Sequence, residues 1–177
     1  FPESGSHIIG IQETRGRCER AFCTSTHAVF NAAADKHGNF GCALWLDTET
    51  PFAEIDGKPC HFTFNDVTVL DSSCTFLLVA IANPAIQFDV LVAHSPHSAK
   101  PLEDIVQWWE NLGRVVAKRK GTRPLVLCID ANATMGEQTS VSVGEHAQEK
   151  ENTMSGHFHN FLLTHFLFIP ATFEQYQ

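Results

Sequence analysis

Short apolar runs separated by polar loops dominate the chain. Residues 7–11 form a brief run that ends in Gln12-Glu13, and residues 42–46 form another. Residues 67–70, 75–81 and 88–93 are rich in Val, Ile, Leu and Phe and read as strands. Asn83-Pro84 marks a turn between the last two, so they form a hairpin. Residues 26–33 suit strand or helix; their alanines favour helix, before a Gly38-Asn39 turn signal. One helix stands out. Leu102, Ile105, Val106, Trp109, Leu112 and Val116 follow the i, i+3, i+4, i+7 spacing of a single apolar face. Pro101 suits its first position, Glu103 and Asp104 lie at the positive end of its dipole, and Lys118, Arg119 and Lys120 lie at the negative end before Gly121. Residues 125–129 then read as a buried strand running into Asp130. A second helix is expected over 157–165 with Phe158, Phe161 and Leu162 inward and His165 as a further candidate, followed by a strand start at 167–173 that Pro170 interrupts. Strands with two helices, mostly joined by hairpins, give an α+β or layered protein rather than a doubly wound parallel sheet.

Composition narrows the class. With 177 residues, 44% hydrophobic and 18% charged, the chain is globular and of a size for one domain. Twelve Lys and Arg against 20 Asp and Glu leave a net charge of −8, which argues against holding nucleic acid by bulk electrostatics. It does not argue against an enzyme that meets phosphate through a divalent cation. The longest apolar runs, such as 76–82, fall far below the ~20 residues of a membrane span, and residues 1–4 have no signal-peptide character. The chain does not begin with Met, so both ends are expected to be cuts in a longer product. Six cysteines show neither zinc-knuckle spacing nor a disulfide framework; Cys42, Cys74 and Cys128 sit in apolar runs. Reduced thiols and an intracellular location, nucleus or cytoplasm, are expected.

Three polar clusters end apolar strands, where a sheet rim can aim them at a common ligand. Gln12-Glu13-Thr14-Arg15 places a carboxylate, the donor Mg²⁺ takes alongside substrate phosphate, two residues from a guanidinium fork suited to phosphate; the plain alternative is a surface ion pair. His94-Ser95-Pro96-His97 offers an imidazole for proton transfer. The rival readings are a capping histidine, or zinc held by His94 and His97 with His157, His159 or His165. No spacing supports zinc. Asp130-Ala131-Asn132-Ala133 places two short polar side chains at alternate positions, on one side if the strand continues; an Asx turn is the alternative. Trp108-Trp109 invites base stacking, but adjacent helical positions cannot share a face, and Trp109 fits the core.

The order of these clusters is more specific than any one of them. Strand–Gln-Glu, strand–His-Ser-Pro, a four-turn helix and strand–Asp-x-Asn-Ala resembles the endonuclease/exonuclease/phosphatase superfamily, whose fold is deoxyribonuclease I-like. Gln12-Glu13-Thr14-Arg15 resembles its metal-binding carboxylate motif and His94-Ser95-Pro96 its catalytic histidine segment. Asp130-Ala131-Asn132-Ala133 resembles its Gly-Asp-Phe-Asn-Ala motif, with Ile129 for Gly and Ala131 for Phe. Residues 38–45 and 156–173 are similar to the branch found in retrotransposons. The likeness runs from His7 to Phe173.

The resemblance implies an α+β, four-layer α/β/β/α sandwich truncated at both ends, with residues 1–177 a single incomplete domain. It implies metal-dependent phosphodiester hydrolysis, foremost by a DNA endonuclease of a mobile element. Glu13 would hold Mg²⁺ or Mn²⁺. His94 and Asn132 would bond phosphate oxygens, Asp130 would orient the water or a partner histidine, and Arg15 would contact the substrate. The partner would be nucleic acid, DNA ahead of RNA, and no membrane. A phosphatase or phosphodiesterase acting on a lipid or small phosphoester is the alternative within the fold, and an inactive remnant or binding domain is the alternative outside it. The family's Asn strand before the Glu motif and its closing Asp–His pair have no counterpart between Phe1 and Gln177, so this fragment alone is expected to be inactive.

Overall fold

The computed structural model describes residues 5–119, 121–146 and 148–174. These fall into two compact units: the residues up to His94 together with Gly121–Ile129, and the remainder.

The first unit is built on two four-stranded sheets. In one, β1 (Ile8–Gln12), β4 (Cys42–Asp47), β3 (His27–Asn31) and β2 (Arg20–Cys23) lie in the order β1-β4-β3-β2, all antiparallel. The other has the order β10-β9-β8-β7, with β7 (Val67–Ser73), β8 (Phe76–Asn83), β9 (Ile86–His94) and β10 (Leu125–Asp130). A small hairpin of β5 (Ala53–Ile55) and β6 (Lys58–Cys60) stands apart from both. Alternate residues of β3, β4, β8 and β9 meet between the sheets: Ala28, Phe30, Leu44 and Leu46 face Leu77, Val79, Ile81, Phe88, Val90 and Val92. Leu78, Ala80, Leu91 and Ala93, on the opposite face, are buried as well. Strands covered on both faces lose the polar alternation, which is why these segments read as continuous apolar runs.

β10 pairs differently. The Asp89 N–H donates to the Pro124 carbonyl (2.8 Å) and the Ser95 N–H to the Asp130 carbonyl (2.9 Å), a progression that makes β10 parallel to β9. A parallel partner needs a long crossover, and the intervening chain holds α1 (Leu102–Ala117). In the second unit α1 packs against α2 (Ser155–Thr164), with the Trp109 ring 5.8 Å from Phe158 and 5.4 Å from Phe161. Among the described residues no helix is long and apolar enough to cross a membrane.

Several expectations change. Residues 26–33 hold the strand β3, not a helix; Ala28 and Ala32 fill places where the sheet is tightly covered, and Val29 and Phe30 suit a pleated surface. Residues 167–173 form no strand: Pro170 opens a 3₁₀ turn, Pro170–Thr172. β10 lies at a sheet edge among the described strands and is only half-buried. On α1 the buried face is Ile105, Trp109, Leu112, Val115 and Val116, while Leu102 and Val106 are exposed; Pro101 is the N-cap rather than the first helical residue. Lys120 lies outside the described residues. β2 and the β5–β6 hairpin escape the sequence reading, although Asp56-Gly57, both with positive φ (51° and 73°), is a standard two-residue hairpin signal.

Candidate functional site

In the first unit three of the predicted residues, Glu13, Arg15 and His94, follow or end strands of the sandwich. β1 finishes at Gln12, paired with Cys42 at the start of β4. Past Gln12 the backbone enters the left-handed region at Glu13 (φ 54°) and again at Arg15 (φ 53°). That region costs an L-residue about 1–2 kcal/mol, so it persists only where neighbours hold it. The 38–41 turn does so: the Thr14 N–H donates to the Gly41 carbonyl (3.2 Å) and the Arg15 N–H to the Phe40 carbonyl (2.9 Å), while the Ala34 N–H reaches the Gly16 carbonyl (2.7 Å). Only glycine suits position 41, because φ is 93° and a Cβ would lie 2.5 Å from Thr14 Oγ1. The Asp35 carboxylate ties the turn by accepting the Asn39 (2.8 Å) and His37 (2.9 Å) N–H groups, and those bonds, chiefly that from Asn39, hold its pKa below the usual value.

The same turn reaches the histidine. The Phe40 ring stands edge-on to the His94 ring at 5.8 Å. His94 ends β9, is buried, and donates its N–H to the Thr75 carbonyl (2.9 Å), next to Cys74, whose carbonyl accepts the Gly41 N–H (2.8 Å). Glu13, Arg15 and His94 are therefore gathered at one rim, with Phe40 as the intermediary. Arg15 Nη2 lies 3.4 Å from Glu13 Oε2, both side chains largely exposed at 70% and 55%, so the pair is loose. Beneath them Gln12 Nε2 donates to the Cys128 carbonyl (2.9 Å), and Gly10 packs so closely on Cys128 that a Cβ there would collide with its side chain. Burial, with Cys74 nearby, pushes the Cys42 thiol up to about 12, and burial likewise raises Cys74 and Cys128; none is a thiolate near neutrality.

The second unit holds the other predicted pair. Asp130 ends β10 and its Oδ1 accepts the Asn132 N–H (3.1 Å), which is the Asx turn rather than a continued strand. Asn132 is left-handed (φ 49°), so its side chain is placed by this turn and not by strand alternation. Ser95 locks the turn. Its N–H donates to the Asp130 carbonyl (2.9 Å), its Oγ to the Ala131 carbonyl (2.6 Å), and its carbonyl accepts Asn132 Nδ2 (2.9 Å). Asn152 Nδ2 adds a bond to the Asn132 carbonyl (3.0 Å). One amide hydrogen of Asn132 fixes its rotamer and leaves the second to offer a ligand.

The sequence reading assigns no role to Phe40 or Ser95. Their signals are a bulky residue beside glycine in a tight turn and a serine wedged between His94 and Pro96. Among the described residues no group of three or more His, Cys, Asp or Glu clusters as a metal site, so the His94–His97 zinc alternative gains no support.

No protein-family model matches the chain, and no curated protein matches it. Among solved structures it is similar to the endonuclease domain of TRAS1, a telomere-specific non-LTR retrotransposon, with a TM-score of 0.54 and 19% identity over 90% of this chain. The chain spans 58% of the length of that domain's chain. The sheet order, the parallel β10 after its helical crossover and this likeness agree: the chain has the α+β, deoxyribonuclease I-like fold that its motifs imply.

Proposed function

We propose that the chain belongs to a metal-dependent phosphodiesterase domain, a nuclease acting on DNA. The observation that carries the reading is the 38–41 turn, which holds Glu13 and Arg15 in left-handed backbone and sets Phe40 against His94. Strain of this kind, overdetermined by its surroundings, is a mark of functional sites. The likeness to a retrotransposon endonuclease domain supports the nuclease reading.

Glu13 presents one exposed carboxylate, and one or two carboxylates completed by substrate phosphate are what Mg²⁺ takes from a protein. The donor set therefore fits Mg²⁺ or Mn²⁺ at Glu13. When bound, the ion neutralises charge on the scissile phosphate and the leaving oxygen. Arg15, at the same strand end, binds the phosphate by its planar fork. In the first unit His94 donates to a non-bridging oxygen as charge builds there; donors aimed at developing charge are worth about 10²–10³ in rate. In the second unit the free amide N–H of Asn132 suits a phosphate oxygen, and Asp130, its backbone fixed by Ser95, suits a water that it would orient, the roles that their motif implies.

Plasmid nicking by the protein expressed from its complete open reading frame, with Mg²⁺ and with a chelator, tests the reading. Wild-type protein should nick in Mg²⁺ and fall silent in chelator, and Glu13→Gln and Asp130→Ala should each lose on the order of 10²-fold or more. Full activity in either variant overturns the site. Wild-type protein that never nicks is an inactive remnant.

A further inference from the structure

We propose that Asn152 is a positioning residue for Asn132, coupling the entry of α2 to the turn that presents the Asn132 amide. The proposal rests on the phosphodiesterase reading above and adds to it a residue that no motif of the sequence marks. Asn132 stands at φ 49°, with its N–H on Asp130 Oδ1 (3.1 Å) and one amide hydrogen on the Ser95 carbonyl (2.9 Å). Its carbonyl is held from a third direction by Asn152 Nδ2 (3.0 Å), 20 residues further on.

Asn152 is itself fixed. Its Oδ1 accepts the Met154 N–H (2.9 Å), its carbonyl accepts the Ser155 N–H (3.1 Å), and its own N–H donates to Ser155 Oγ (2.9 Å). Ser155, only 1% exposed, opens α2 and donates its hydroxyl to the Thr134 carbonyl. The Thr134 hydroxyl bonds the Lys150 carbonyl (2.7 Å), and the Glu149 N–H bonds the Met135 carbonyl (3.1 Å). Gly136 is pressed on Gln148, where a Cβ would lie 2.6 Å from the Gln148 Cα. Residues 132–136 and 148–152 thus run side by side as a clasp, with Asn152 at the end that touches Asn132. Closing the turn into α2 needs only the side-chain oxygen of Asn152. The nitrogen has a separate duty: it fixes the peptide that follows Asn132, and with it the direction of the free amide N–H. An aspartate at 152 separates the two duties, because it keeps the acceptor for Met154 and removes the donor to Asn132.

Nicking kinetics and hydrogen exchange on the protein from its complete open reading frame read this coupling. In Mg²⁺, Asn152→Asp should lower kcat about 10-fold with KM unchanged, since a misaimed donor weakens the transition state and not the binding of substrate. In an Asn132→Ala background the same substitution should have no further effect, because it acts through Asn132. Asn152→Asp should also speed hydrogen exchange several-fold at residues 131–135 while α2 stays protected, whereas Asn152→Ala, which loses both bonds, should loosen α2 as well. An equal loss of kcat in both backgrounds, a loss confined to KM, or unaltered exchange at 131–135 in Asn152→Asp overturns the proposal. If wild-type protein never nicks, the phosphodiesterase reading fails, and hydrogen exchange still decides whether Asn152 holds the Asn132 turn.

Discussion

Glu13, Arg15, Phe40 and Asn132 all sit at positive φ without being glycine. Long or bulky side chains gain nothing locally from that conformation, so the surrounding bonds must supply the hold, and Gly41 is where that hold is most exposed to change. Gly41→Ala adds a methyl 2.5 Å from Thr14 Oγ1 and 3.2 Å from the Arg15 nitrogen, at a φ that alanine resists. The expected outcome is a loss of about 1–3 kcal/mol in urea unfolding, with cleavage falling further than stability because Glu13 and Phe40 shift together. A Gly41→Ala variant with wild-type stability would mean that the turn relaxes freely.

At the scale of elements, the junction between β10 and the Asx turn depends on one hydroxyl. Ser95→Ala removes the donor to the Ala131 carbonyl in a buried place, which should cost about 1–3 kcal/mol, and it loosens the turn that aims Asn132. Thermal unfolding reads the first effect and Mg²⁺-dependent nicking the second. Much of this architecture is legible in the chain itself. α1 and the β8–β9 hairpin follow from periodicity and a turn dipeptide, because their own residues carry the signal. The alanines of residues 26–33 mislead, because their intrinsic helix preference yields to a sheet that needs small residues at 28 and 32. β10 reads as buried because its five apolar residues do not record that one side has no neighbour among the described strands. Glu13, His94 and Asp130 can be named because each lies at the end of an apolar strand. Phe40 and Ser95 cannot, since their roles are backbone and ring contacts to residues 25 or more positions away.

For the whole molecule, titration limits the folded state from both sides. The Cys42 thiol is raised to about 12, and Cys74 and Cys128 are raised too. A group whose folded pKa is raised stabilises the fold below its unfolded pKa and withdraws that support as pH climbs. Urea midpoints should therefore fall as pH rises above about 9, and Cys42→Ala should flatten the decline. On the acid side burial, with Arg119 nearby, lowers His165, so its contribution is present above the ordinary histidine pKa and disappears as pH falls; His165→Gln should soften that limb. A pH profile that Cys42→Ala leaves unaltered would place the alkaline sensitivity elsewhere. The β7 strand, finally, lies at the far edge of its sheet among the described strands, with Val69 and Leu70 exposed and the register slipping between Val69 and Asp71. Such a border invites a second molecule to continue the ladder. Here the extra residue bends the border and sets a carboxylate beside the bend, so an approaching chain finds no straight row of donors and acceptors to extend, and two greasy side chains can face water without seeding fibrils.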